Sequence, residues 1–538
     1  MKKLQKISVF IFIFAMFLQA APAASAKSPV LNDEIVAKIK KEAMENSQIM
    51  NTLHMLTDVY GPRLTGSPNL ENAGKWSMTQ MKKWGFDRTE MEPWDFGAPG
   101  WVNDRASGFI VSPVEDNLVF EVPAWTPSTN GIVTGSAVLM DIPTFKNGDD
   151  ARCMRMPTEA ELSAYLASFD GKLSGKMVLL RAPAELGVEF DPMPLRVPDE
   201  ALKNPQSFRR QPGERPECPK LEVTPLTPRE VNSRILDAIN LAKPAVLISD
   251  ARMRHGTIRA FGNRNSDPES SVPQVILRNE DYGRIWRLVK DGRDVKLQFY
   301  IKNTFYPAGK TAYNTIGEIA GTSKKDEVIM MGGHLDSWHS ATGATDNAIG
   351  CAIMMEAGRI LKAIGVKPKR TIRVALWAGE EQGLLGSQAY VEKHFGSAEN
   401  PKPAFSKFGG YFNIDTGTGR VRQWGIFGPD SAAKDLGDAI DSYFADSGFA
   451  GVVATDSRRL GGSDHTSFDQ AGLPGIGARQ DPIEYFTYTW HTNLDTYERI
   501  VQDDVKLNAA LVAASVYELA MRDELLPRFS ADKMPKLP

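Results

Sequence analysis

From about residue 311 the chain alternates short apolar runs with stretches of helical period, and this rhythm narrows the possible folds more than any other feature. Strands joined through helices need crossover connections, which lay neighbouring strands parallel. Val328 to Met331, Thr371 to Trp377, Gly410 to Ile414 and Gly475 to Ala478 read as strands. Ala348 to Ile364, Leu384 to His394, Ala432 to Phe444 and Leu507 to Met521 read as the helices between and after them. In open sheets of this kind the chemistry gathers beyond the carboxyl ends of the strands.

Polar clusters fall at those ends. Gly333-His334-Leu335-Asp336 follows the first strand, Gly379-Glu380-Glu381 the second and Asn413-Ile414-Asp415-Thr416 the third. Gly343-Ala344-Thr345-Asp346-Asn347 opens a helix, and Trp490-His491-Thr492 lies in a late loop. Imidazoles and carboxylates without thiolates suit zinc or a related divalent ion, and three carboxylates exceed what one four-coordinate catalytic metal takes. Two Zn2+ ions fit better, with Asp346 as a bridge, His334 and Asp415 completing one site, and Glu381 and His491 completing the other. Such a cage stays positive, so a water held in it should ionise near neutral pH, as zinc-bound water does at a pKa of about 7.

Glu380 is adjacent to a ligand but surplus to the cage, which makes it the expected general base and the later proton donor to a leaving amine. Asp336, two residues after His334, is placed to accept the ring proton and orient the imidazole. His465 and Tyr485, in late loops, could meet substrate or an oxyanion, and a structural role fits each equally well. Singly, these residues say little. An adjacent glutamate pair is often only a charged helix start, and His339 and His394 read as ordinary residues rather than ligands. The weight lies in five separate segments supplying one matched set.

Upstream, residues 31 to 95 read as helices around the turn-rich Gly61-Pro62-Arg63-Leu64-Thr65-Gly66-Ser67. Between 105 and 305 the pattern shifts to β-like runs at Ser136 to Met140, Lys176 to Leu180, Ala245 to Ile248, Gln274 to Leu277 and Lys296 to Ile301. Leu297, Phe299 and Ile301 alternate with polar residues, the period of a half-buried strand. The Pro-heavy stretch from Pro183 to Pro228 is expected to be a long surface excursion. The expected division is therefore a leader at 1–26, an N-terminal helical part of the main domain at 27–104, an inserted β-rich domain at 105–310 and the main domain at 311–538.

The leader reading rests on three lysines within Met1 to Lys6, an apolar Ile7 to Leu18 and a small-x-small site at Ala24-Ser25-Ala26, the layout of a signal peptide. That apolar stretch is shorter than the roughly 20 residues a spanning helix needs. Export to the periplasm or exterior is expected, with no membrane span in the mature chain. Cys153, Cys218 and Cys351 are too few for a disulfide framework. Cys351 falls in an apolar helix, and Cys153 and Cys218 could pair after export. A net charge of -3 on 538 residues, with no basic run, gives no sign of a nucleic-acid partner.

These motifs resemble those of the co-catalytic zinc exopeptidases of the aminopeptidase Y and carboxypeptidase Q type. The resemblance rests on Gly333 to Trp338, Gly343 to Asn347, Gly379-Glu380-Glu381-Gln382-Gly383, Asp415 and His491, and extends to Gly61–Ser67. It implies an α/β/α sandwich with a mixed, mainly parallel sheet, and it likens the β-rich insert to a protease-associated domain. It implies the same ligand allocation, with Glu380 as base, peptide or dipeptide substrates, and dimers among relatives. His339 stands where relatives often carry an acid, which bears on substrate preference. Rival readings are a non-catalytic receptor-like relative and a single-zinc cyclase or amidase on the same fold. A serine hydrolase lacks its Gly-x-Ser-x-Gly elbow here, and no His-Glu-x-x-His occurs.

Overall fold

The computed structural model describes residues 30–147, 153–203 and 218–538. The alternation after residue 311 becomes a sheet of eight strands. Their order is Arg88–Asp95, Thr311–Ile319, Arg370–Trp377, Lys324–His334, Phe408–Asn413, Gly475–Gln480, Val421–Phe427 and Val452–Thr455. The four central strands, from Arg370–Trp377 to Gly475–Gln480, run parallel. Both flanks join them antiparallel, so the sheet is mixed.

Period-two alternation divides the apolar residues between two faces. Val328, Met330, Ala375, Trp377 and Tyr411 meet Phe395 and Phe468, under the helices Leu385–His394 and His465–Ala471. Ile329, Met331, Ile372, Val374, Leu376 and Phe412 share the opposite core with the helices Ile349–Ala363 and Gln502–Met521. Those two helices are apolar almost all round, because Asp33–Glu45 covers them in turn. The result is the expected α/β/α sandwich.

A second sheet of eight strands is built from Gly100–Ser112, Lys296–Tyr306, Val133–Met140, Met177–Leu180, Val246–Asp250 and Gln274–Leu277, with the short strands Asp116–Asn117 and Phe120–Glu121 at its edges. Its centre is parallel. It also carries helices that the β-like pattern did not announce: Glu159–Ala167, Pro228–Ala242 and Asn279–Lys290. The first two start with capping boxes, Thr158 with Glu161 and Thr227 with Glu230, the reciprocal bonds that fix a helix start.

Arg88–Asp95 is a strand, not the helix end expected there. It lies at the sheet edge and pairs only with Thr311–Ile319, a position where Pro93 costs no ladder bond. The Pro-rich excursion starts tied to the second sheet, where Ala184 N donates to Asp250 at 2.7 Å and Arg254 Nε donates to Gly187 O at 2.7 Å. It then crosses to the first sheet, where Arg196 meets Asp481 at 2.8 Å and Asp504 at 2.7 Å. A disulfide joins Cys153 to Cys218. The expected leader lies outside the described residues, and no described helix is long and apolar enough to cross a membrane.

Candidate metal centre

Strand register brings the site together. His334, the last residue of its strand, is level with Trp377, and Gly332 is level with Asn413. Glu380 and Glu381 therefore follow a few residues beyond the same sheet edge, and Asp415 emerges beside His334. Asp346 comes from the distorted turn Ala344–Ala348, with φ −131° and ψ 83°, just before the helix Ile349–Ala363. That helix must approach the strand ends closely: a Cβ on Gly350 would lie 2.5 Å from Ile414 O. Asn347 Nδ2 donates to Ile414 O at 2.8 Å, and the Cys351 thiol reaches His334 O at 3.1 Å. Burial pushes the Cys351 thiol up to about 12, so it stays a thiol.

The expected cage residues converge. His334 Nε2 lies 3.2 Å from Asp346 Oδ1 and 3.1 Å from Asp415 Oδ1. His491 Nε2 lies 3.2 Å from Asp346 Oδ2 and 2.9 Å from Glu381 Oε2. Each oxygen of Asp346 thus faces a different imidazole. Glu380 joins His334 and Asp415 in one cluster of ligand atoms within 4.8 Å.

The donor set can be tested for fit to a cation. His334 Nδ1 donates to the Asp336 backbone carbonyl at 2.8 Å, which leaves Nε2 aimed at the carboxylates of Asp346 and Asp415. Without a metal each Nε2 carries a proton that the facing carboxylates hold in place, and a divalent cation can take the position of those protons. Ligand atoms on a tetrahedral zinc, with bonds of about 2.0–2.1 Å, lie about 3.3 Å apart, close to the separations above. The residues fit zinc.

Electrostatics point the same way. Burial pushes Glu381 up to about 7 and, against His334, holds Glu380 well above the usual carboxylate range, with Asp415 and Asp464 adding to the effect. Burial likewise raises Asp464 to about 8 and Asp495 to about 7. Burial opposes charge on His491 as well, but Glu381 and Asp346 outweigh it and lift the ring to about 10. A pocket this rich in carboxyls is short of positive charge.

The family model for peptidase family M28 matches residues 314–516, which contain every cage residue. Carboxypeptidase Q of Mus musculus is 30% identical over 510 residues, covering 93% of this chain and 90% of that protein. The chain belongs to peptidase family M28. Among solved structures, a peptidase M28 precursor from Shewanella amazonensis has a TM-score of 0.63 at 24% identity, covering 92% of this chain and 98% of that one. An aminopeptidase from Aneurinibacillus has a TM-score of 0.51 at 20% identity, covering 92% and 100%. Both share the fold. Family membership makes the chain a zinc-dependent metallo-exopeptidase acting on peptides.

Within this M28 site the other expected residues are sorted by position. The Asp336 carboxylate does not take the His334 ring proton, since its nearest oxygen is 3.7 Å from Nδ1. It accepts instead from the amides of Glu380 and Glu381, each at 3.3 Å, and from Thr65 Oγ1 at 2.9 Å. The cause is geometric: the Asp336 carbonyl already occupies Nδ1. Tyr485 is buried and feels the charges of Asp346, Asp415 and Glu381, which with burial keep its hydroxyl protonated. His465 is pushed down to about 4 by burial alone, without a charged cage residue acting on it. His339 bonds Val122 O at 2.6 Å, and His394 bonds Glu92 at 2.9 Å, so neither enters the cage.

Two residues escaped the sequence reading. Asp495 accepts from Thr345 N at 2.5 Å and Asp346 N at 3.0 Å, holding the turn that presents Asp346. Its only sequence signal is its place four residues after His491. Asp495→Asn turns an NH2 toward one of those amides, and metal affinity is expected to fall roughly 10- to 100-fold, read by competition with a chromogenic chelator.

Arg63, fully buried, donates to the carbonyls of Leu335, Leu56, Gly61, Thr342 and Gly343 at 2.7–3.1 Å. It therefore fastens both loops that flank His334 and Asp346. Arg63→Met leaves those acceptors unpaired and is expected to lower stability by at least about 3 kcal/mol, read as a shifted urea midpoint.

Proposed function

We propose that this M28 peptidase is an exported, dinuclear zinc exopeptidase that cleaves the terminal bond of peptides or the single bond of dipeptides. The observation that carries the reading is the Asp346 carboxylate, whose two oxygens face two different imidazoles at 3.2 Å. That favours a bridging role, with His334 and Asp415 on one ion and Glu381 and His491 on the other. Bound zinc would polarise the scissile carbonyl and acidify a water.

The protein's own groups do the rest. Glu380 takes the proton of the attacking water and later delivers it to the leaving amine as the C–N bond breaks. Its burial favours a carboxyl that can hold that proton for the interval. Tyr485, kept as a phenol, donates a hydrogen bond to the carbonyl oxygen as charge develops there. Asp336, through the Glu380 and Glu381 amides, sets the direction of both side chains.

The disulfide between Cys153 and Cys218 supports an oxidising compartment, in keeping with the leader-like start. Residues 105–310 serve in this reading as a protease-associated-type insert over the catalytic body. Elemental analysis of the metal-replete protein, paired with hydrolysis of dipeptides and of amino- or carboxyl-blocked peptides, tests the proposal. Two zinc ions per chain and cleavage of a terminal bond are expected. One ion per chain, or release of internal fragments only, would refute it.

A further inference from the structure

The segment Ile258–Gly262 belongs to the part of the chain that forms the second sheet, yet it lies against the loop carrying His491. Arg259 forms an antiparallel bridge with Thr492, and Gly262 forms a parallel bridge with Ala124. Asn493 locks the register from both sides: its Oδ1 accepts from Ile258 N at 2.8 Å and its N donates to Ile258 O at 3.0 Å. In extended backbone successive side chains point to opposite faces. Ile258 and Ala260 are buried, which turns Arg259 and Phe261 together to the other face.

That face looks onto the metal centre. The Phe261 ring, 43% exposed, is 5.2 Å from His491 and 5.2 Å from Trp338. The Arg259 guanidinium lies 4.6 Å over Trp490, whose ring is 4.2 Å from His491. Its Nε donates to Trp490 O at 3.3 Å. Its two Nη groups have no partner among the described residues, and no described carboxylate lies within ion-pair reach. Arg359, Arg373, Arg422 and Arg458 by contrast each hold a carboxylate, and Arg63 is saturated by backbone carbonyls. The acids near the His491 loop are occupied, Glu484 by Arg499 at 2.8 Å and Asp495 by two amides. The charge left open at this mouth is a cation, and a guanidinium fork matches a carboxylate in two parallel bonds.

Resting on the exopeptidase reading above, we propose that Arg259 binds the free α-carboxylate of the substrate's last residue while Phe261 packs against that residue's side chain. The site then reads the carboxyl end, and Arg259 is its specificity-determining group.

Steady-state kinetics on one short peptide as the free acid and as the carboxyl-terminal amide test this. The zinc-loaded wild type should prefer the acid in kcat/KM by roughly 10- to 100-fold, the worth of a charge-assisted bond. Arg259→Gln should bring that preference close to one through a raised KM, and Arg259→Lys should restore part of it. Phe261→Ala should reduce discrimination between a terminal leucine and a terminal glycine. Equal losses on acid and amide in Arg259→Gln would reduce Arg259 to a brace for Trp490 and overturn the proposal. So would a wild type that cleaves the amide as fast as the acid. Failure of the wild type on both would instead strike the exopeptidase reading, and this one with it.

Discussion

Glu380→Gln is expected to lower kcat by roughly 100- to 10,000-fold, the usual contribution of a positioned general base, while the zinc content stays that of the wild type. The amide is isosteric with the carboxyl and still accepts a hydrogen bond, so the proposed cage of His334, Asp346, Glu381, Asp415 and His491 keeps its shape. It can no longer take a proton. Turnover and metal content, measured on the same preparation, separate the two effects. Wild-type turnover in the variant would remove Glu380 from the reaction, and loss of zinc would make it a ligand.

Removing the metal should abolish hydrolysis and also destabilise the fold. Without cations the buried carboxyls around His334 and His491 must either repel one another in a medium that screens poorly or take up protons, and burial with the Asp346 charge pushes Glu381 up to about 7. A ligand held at a thousand times its dissociation constant stabilises by about 4 kcal/mol, and chelation forfeits a contribution of that order. Thermal unfolding before and after chelator, with activity restored by zinc, reads both parts. An unchanged unfolding temperature together with unchanged activity would show that the cage does its work empty.

The catalytic half was legible because its signals are local. Val328 to Met331 and Thr371 to Trp377 are apolar runs of strand length, and the central strands of a parallel sheet are buried on both faces, so each run announces itself. His334, Asp346, Glu381 and Asp415 were legible as candidates because each follows such a strand or opens a helix, where sheet topology forces convergence, whereas His491 comes from a late loop. The second body was read less well. Its helices Glu159–Ala167 and Pro228–Ala242 are flagged by Thr158 with Glu161 and Thr227 with Glu230, but the short β-like runs around them dominate the pattern. Arg88–Asp95 was misread since an edge strand needs no continuous apolar face. Arg63, Asp495 and Arg259 act through contacts hundreds of residues away or through backbone groups, which no spacing rule encodes.

Asp95 and Thr311 face each other as the last matched pair of two antiparallel neighbours, and the chain departs at one and comes home at the other. Gly66, Gly100 and Gly309 crowd that doorway so tightly that a Cβ on Gly100 would fall 1.9 Å from Gly66 O. In outline the first sheet holds a β-hairpin of Arg88–Asp95 and Thr311–Ile319 whose tip is opened to admit the second sheet and its helices. Changes of length or shape within that appendage need not shift one rung of the ladder between the two strands, so what approaches the candidate metal centre can be altered without disturbing the sheet that carries it.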